Sequence, residues 1–154
     1  MLFGNESELG ENVPIVVKKI PVLSWEDFLN KSLSIEQILQ HRELKGEVFN
    51  MVLTNKNKSI KKNKIGAIPA KNVEAMIPSY PHKLAVFEGD WLIIDFEQKP
   101  INGNLVIAKV KEGLTIRQYI EDAGTRILQA LNMQYPIITE FEIIGTVINI
   151  LKNV

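Results

Sequence analysis

Apolar and polar residues alternate in short runs along this chain, most regularly after residue 84. LAVF, WLIIDF, LVIAKV, LTIRQYI, RILQAL and EFEIIGTVINIL follow one another at short spacings, separated by EGD, PINGN, EG, EDAG and NMQYP. Period-two alternation rich in β-branched residues, broken by turn formers, predicts strands joined by tight turns. Asn102-Gly103 and Asp122-Ala123-Gly124 have the composition of hairpin turns. Earlier in the chain, residues 48–54 (VFNMVLT) also alternate as a strand. Residues 34–41 (SIEQILQH) predict a short helix. Ser34 is its N-cap, Glu36 and Gln37 suit the first turn, and Ile35, Ile38 and Leu39 form one apolar face. Residues 14–24 (PIVVKKIPVLS) predict an extended arm or edge strand, because Pro14 and Pro21 cannot donate to a central ladder. The polar, acidic residues 5–13 read as a leader. No long amphipathic helix and no fixed-period repeat interrupts this pattern. The expectation is a mainly β, compact antiparallel domain with one short helix.

Composition narrows the function classes. A chain of 154 residues suits a single domain with a core of its own. The basic and acidic residues balance at 18 each, so no net charge draws the domain to nucleic acid or an anionic membrane. Five lysines crowd residues 55–64, but no aromatic interleaves them, so a solvated turn is preferred to a phosphate-contacting patch. With no cysteine, disulfides, thiolate metal sites and cysteine nucleophiles are excluded. No signal-peptide pattern opens the chain, and apolar runs of about five residues fall far short of the roughly 20 needed to span a bilayer. A cytoplasmic setting with no membrane contact is expected.

Chemical motifs are sparse. His41 and His82 are the only histidines and have no ligand-type residue at helical spacing, so no metal is expected. There is no phosphate-binding glycine loop and no nucleophile elbow, so no cofactor is expected either. Asp90 and Asp95 flank the apolar stretch Trp91-Leu92-Ile93-Ile94. Their odd spacing points them to opposite strand faces, which favours turn and strand-end roles over an acid pair.

The order of motifs in the second half is more specific. Ala75-Met76, Gly89-Asp90, Leu92-Ile93-Ile94-Asp95, Asn102-Gly103, Leu131-Asn132, Gln134-Tyr135-Pro136 and Ile144-Gly145-Thr146-Val147 occur in that sequence, with IPVLSW at residues 20–25 upstream. This series resembles the S24 peptidase domain of LexA and lambda-type phage repressors over about residues 20–151. The resemblance implies the LexA/signal-peptidase-like, β-clip type of fold, with residues 1–19 as leader or linker and 20–154 as the domain. It also implies a regulator that cleaves itself, using a serine nucleophile and a buried neutral lysine as its base.

Those two groups are absent where the resemblance places them. The serine of the family's Ser-Met pair corresponds to Ala75, which has no nucleophilic atom. The lysine corresponds to Arg117, which keeps its proton under physiological conditions. Restoring Ala75→Ser, were that alanine an engineered change, would still leave Arg117 as the partner. Asn72-Val73-Glu74 departs from the family's usual Gly-Asp before the serine, which favours a naturally degenerate site. The Ala-Gly bond that such repressors usually cleave is missing near residue 25; the chain's only Ala-Gly is Ala123-Gly124. Ser79 and Lys83 are the substitute candidates for nucleophile and base. They lie in or beside a proline-bracketed loop, where a lysine is hydrated and a poor base.

The expected function is therefore that of a catalytically inactive S24-like domain of a repressor-type transcriptional regulator, working by dimerisation or protein binding. The alternative is an active self-cleaving peptidase with a displaced nucleophile such as Ser79, and a third reading is a module that binds a peptide in the old cleft. By resemblance, Glu142–Leu151 is the segment for self-association or for binding a related repressor; an apolar terminal strand with a free edge would allow pairing. It reads equally as a closed core strand. DNA contact would require a helix-turn-helix domain that this chain lacks. Residues 1–5 (MLFGN) match the segment that follows such a domain, and so short a match also arises by chance.

Overall fold

The computed structural model describes residues 16–29, 32–53, 64–111 and 113–152. The acidic leader and most of the lysine-rich loop lie outside them. Eight strands and one α-helix are present among the described residues: β1 (Val16–Pro21), α1 (Ile35–Leu44), β2 (Val48–Leu53), β3 (Ile65–Pro69), β4 (Trp91–Asp95), β5 (Leu105–Val110), β6 (Gly113–Asp122), β7 (Thr125–Gln129) and β8 (Glu142–Leu151). Two short 3-10 turns, Trp25–Leu29 and Glu74–Met76, complete the frame. The fold is mainly β, with every ladder between named strands antiparallel, and it is consistent with the S24/LexA-like type. No helix among the described residues is long and apolar enough to cross a membrane.

Local chemistry accounts for the helix. Ser34 accepts the Gln37 amide at 3.2 Å, while the Gln37 side chain accepts the Ser34 amide at 2.8 Å. This reciprocal box satisfies two donors that a helix start otherwise leaves open. Arg42 then ties the helix to the first 3-10 turn. Its Nε and Nη2 donate to the two carboxylate oxygens of Asp27 at 3.2 and 2.8 Å, and its Nη1 reaches Glu47 at 3.0 Å.

β1 and β2 form a separate hairpin-like pair, and β1 begins at Val16, inside the segment expected as leader. The chain crosses to the larger sheet directly after β1. Val22 bridges Ala67 of β3, the Leu23 amide donates to the Ala67 carbonyl at 2.8 Å, and the Trp25 indole donates to Pro69 O at 2.8 Å. β3 escaped the sequence reading, because a five-residue strand containing glycine and ending in proline carries little periodic signal. Gly66 leaves room there for Leu23, whose Cδ1 would lie 2.8 Å from an added Cβ.

The larger sheet runs β3-β4-β8-β5-β6-β7. Its order corrects two expectations. LAVF is not a strand: Ala85 and Val86 are buried without a ladder partner, with their amides on His82 O and Met76 O. Burial alone produced that apolar run. Asn102-Gly103 does form a turn, closed by the Asn104 amide on Ile101 O, but it does not join paired strands, because β8 separates β4 from β5. The second turn is a true hairpin. Ala123 (φ 52°) and Gly124 (φ 82°) are both left-handed between the paired Asp122 and Thr125, as a type I′ turn requires.

β8 is thus interior in the strand order, yet among the described residues each half keeps one unpaired edge: 142–145 on the β4 side and 147–151 on the β5 side. Its two halves serve different neighbours. Residues 146–151 pair with β4 and residues 142–146 with β5, and Thr146 alone has partners on both sides. The register skips Ile148 against β4 and Ile144 against β5, so an extra residue sits on each side of Thr146. Such bulges sharpen the local twist. The main core packs at this corner, with Ile68, Met76, Val86, Leu92, Ile94 and Ile107 buried together. Gly145 makes the corner possible: a Cβ there would lie 2.5 Å from Ile94 Cγ2 and 3.3 Å from Asp95 O. Gly145→Ala is expected to lower unfolding free energy by about 1–3 kcal/mol, the usual cost of overpacking. Chemical denaturation measures it, and an unchanged midpoint would refute this account of the corner.

Candidate functional site

The two positions matched to the missing dyad come from separate elements held against each other. Ala75 lies in the 3-10 turn Glu74–Met76, which packs beside β6. The turn is clamped by burial of Val73 and Met76, and by the Met76 amide on Val73 O at 2.8 Å. Asn72 precedes it with φ 54°, its amide held by Glu88 at 2.7 Å. Ala75 itself is buried, and its carbonyl accepts the Asn132 amide at 2.8 Å.

Arg117 lies on β6. Strand alternation sends Ile116 into the main core and places Thr115, Arg117 and Tyr119 on the other face. The guanidinium is half-buried and held by neutral groups. Nη1 donates to Thr115 Oγ1 and, at 2.8 Å, to Ile116 O. The Tyr135 ring lies beneath the guanidinium carbon at 5.6 Å, within cation–π range. Segment 132–135 therefore touches both matched positions, through Asn132 at Ala75 and Tyr135 at Arg117. Burial pushes the Arg117 pKa below the usual arginine range, and the electrostatic effect of the neighbouring Tyr135 opposes the shift. Arginine starts so far above neutrality that it remains a cation.

The substitute candidates are not assembled into a site. Ser79 and Lys83 are both exposed, and among the described residues no hydrogen bond joins them. Lys83 instead borders a cavity of about 310 Å³ together with residues 103–105 and 147–150. His82 is a turn acceptor, its Nδ1 taking the Leu84 amide at 3.0 Å, and His41 is exposed on α1. No cluster of three metal-ligating side chains occurs among the described residues. The two aspartates act at turns. Asp95 accepts the Glu97 and Gln98 amides, and Asp90 accepts the Phe87 amide and Lys152 Nζ.

Sequence reasoning named Arg117 but not its surroundings. Thr115 carries a signal in retrospect, since it stands two residues away on the same strand face. Tyr135 and Asn132 lie too far along the chain for periodicity to link them to β6.

With this geometry in place, comparison with known proteins locates the segment. The sequence model of the Peptidase S24-like family matches residues 74–148. Residues 74–148 are S24-like. The match begins at the 3-10 turn carrying Ala75 and ends within β8, a shorter stretch than the resemblance over about residues 20–151. A curated relative, Repressor protein C2 of Salmonella phage P22, is 38% identical over 74 residues. That alignment takes in 45% of this chain and 34% of the repressor, so the chain spans about a third of its relative's length.

Within the S24-like segment, the contacts of Arg117 predict only a small contribution to stability. Its gains are two bonds to neutral acceptors and a ring contact; against them stand a desolvated cation and a buried Nε with no acceptor. Exchange of a buried charged group for an apolar one of similar size is often neutral or stabilising. Arg117→Met is therefore expected to leave unfolding free energy within about 1 kcal/mol of the parent, or to raise it. A loss well beyond that in urea denaturation would show that the arginine holds the fold together.

Proposed function

We propose that this chain is a non-catalytic S24-like domain of a repressor-type transcriptional regulator, acting through protein contacts. The observation that carries this reading is the pair of residues at the matched dyad positions. Ala75 offers no nucleophile, and Arg117 holds its proton and has its Nη1 committed to Thr115 and Ile116. The missing substrate supports the same reading, because the chain's one Ala-Gly bond forms the β6–β7 hairpin turn. The regulatory part rests on the relative's name, a phage repressor. In this reading residues 20–154 are the domain and 1–19 the leader, with β1 reaching back to Val16. DNA would be bound only through a separate helix-turn-helix domain, in the cytoplasm.

Intact mass after incubation at mildly alkaline pH tests the loss of catalysis. The mass is expected to stay unchanged, both for this chain and for Ala75→Ser, since the serine would still lack a base. Specific cleavage abolished by Ser79→Ala would establish the displaced-nucleophile peptidase instead.

The contact we assign is self-association, or pairing with a related repressor, through Glu142–Leu151. A fully open strand edge is not available there. Support comes from the half-open faces of β8: residues 147–151 are only partly buried although the strand is interior. Sedimentation across a concentration series is expected to show reversible association. A mass that stays monomeric at the highest concentration would exclude the contact.

A further inference from the structure

Two arginines of this chain present the same fork in opposite states. Arg42 uses its Nε/Nη2 edge to grip both oxygens of Asp27, with Glu47 on Nη1. Arg117 has the same edge, but its Nε is the one buried side-chain polar atom among the described residues that lacks a hydrogen-bond partner. Its acceptors are a hydroxyl and a carbonyl, and no carboxylate among the described residues forms an ion pair with it. A buried donor left unmet is costly, and the side-on edge of a guanidinium matches a carboxylate in two parallel bonds.

We propose that Arg117 is the anchor for a carboxylate delivered by an extended segment of a partner protein. This rests on the reading that position 117 serves binding rather than proton transfer. Thr115, which accepts from Nη1, also lines a cavity of about 230 Å³. Trp25, Leu29 and Leu114 give that cavity an apolar wall, while Glu26 and Lys71 offset one another in charge. Arg117 does not itself line the cavity; Thr115 is shared between them, and Arg117 supplies the positive charge beside it. A segment with an aliphatic side chain beside a carboxylate complements both features. Tyr135, which covers the guanidinium, is 39% exposed and lies outside the buried core, so a ligand passing its ring would not require the core to open.

The test uses the whole chain and paired probes. One pair is the acetylated, amidated peptide Ala-Leu-Asp-Leu-Ala and its asparagine counterpart. The other is acetylated Ala-Leu-Ala-Leu with a free or an amidated C-terminus. Binding is followed by the Arg117 Nε–H resonance, assigned by its loss in Arg117→Gln. One acid is expected to bind about tenfold or more tightly than its amide, as charge-assisted bonds do, and to shift that resonance. Whichever pair responds tells a side-chain carboxylate from a chain terminus. The preference is expected to vanish in Arg117→Gln and persist in Tyr135→Ala. Should Arg117→Gln fail to fold, the acid-against-amide comparison on the parent chain decides alone. Equal binding of acid and amide in both pairs, or a stationary Nε–H resonance, would overturn the anchor. Acetate moving the resonance at the same concentration as the peptides would overturn the partner segment. Intact mass of the same samples reports cleavage separately, so a failure of the non-catalytic reading is not confused with a failure of the anchor.

Discussion

A strand has two edges, and β8 gives them to different neighbours on either side of Thr146. The main core depends on that division. Without β8, β5 would lose its inner neighbour, and no ladder would join β5, β6 and β7 to β3 and β4. Bulges at Ile144 and Ile148 supply the twist, and Gly145 supplies the space. Thr146 is buried at the corner, where a hydroxyl without a partner would be costly. Its Oγ1 donates to Gln98 O at 2.7 Å, which also ties the chain leaving β4 to the strand beside it. Because β8 is near the end of the described chain and central in the sheet, these contacts are long-range. Topologies of this kind fold slowly compared with locally paired ones.

The outer strands of the larger sheet are partly covered by short pieces of chain. β3 is met by Val22 and Leu23, and β7 by Ile138, whose amide and carbonyl both bond Leu128. Covering an edge in this way limits uncontrolled pairing. The self-association proposed above would then use faces that stay open rather than the sheet margins. Met133, Tyr135 and Ile137 are exposed along one stretch of chain, and Tyr135 stands against the half-buried Arg117.

What the sequence made legible follows from the range of each interaction. Ser34 and Gln37 are three residues apart, so the helix start was readable from its own box. The left-handed pair Ala123-Gly124 was readable because a two-residue hairpin demands positive φ at both positions. β4 to β8 were visible as alternating runs. Their order was not, since no local pattern states that β8 enters between β4 and β5. LAVF misled for a related reason: periodicity reports burial, and Ala85 and Val86 are buried by Met76 and the core rather than by a ladder. The family motifs point to Ala75 and Arg117 as the dyad positions, the assignment on which the proposed function rests. Their shared contact with segment 132–135 depends on tertiary packing and became visible only in three dimensions.

The buried polar groups divide by whether the fold meets their needs. Asp95 is satisfied by two amides of its own turn, Asp90 by the Phe87 amide and Lys152, and Thr146 by Gln98 O. Each interrupts an apolar pattern, and each is held there by the partners just named. Arg117 interrupts the pattern of β6 in the same way, yet its Nε is left without an acceptor. A domain that supplies partners for its other buried side-chain polar atoms, among the described residues, and withholds one here departs from its own rule at a single place. Such local departures from consistency are where binding and chemistry concentrate. Ala75 cannot explain the departure, because a methyl group makes no demand on an arginine. The demand is for an acceptor with negative charge, and the residues around β6 do not provide one.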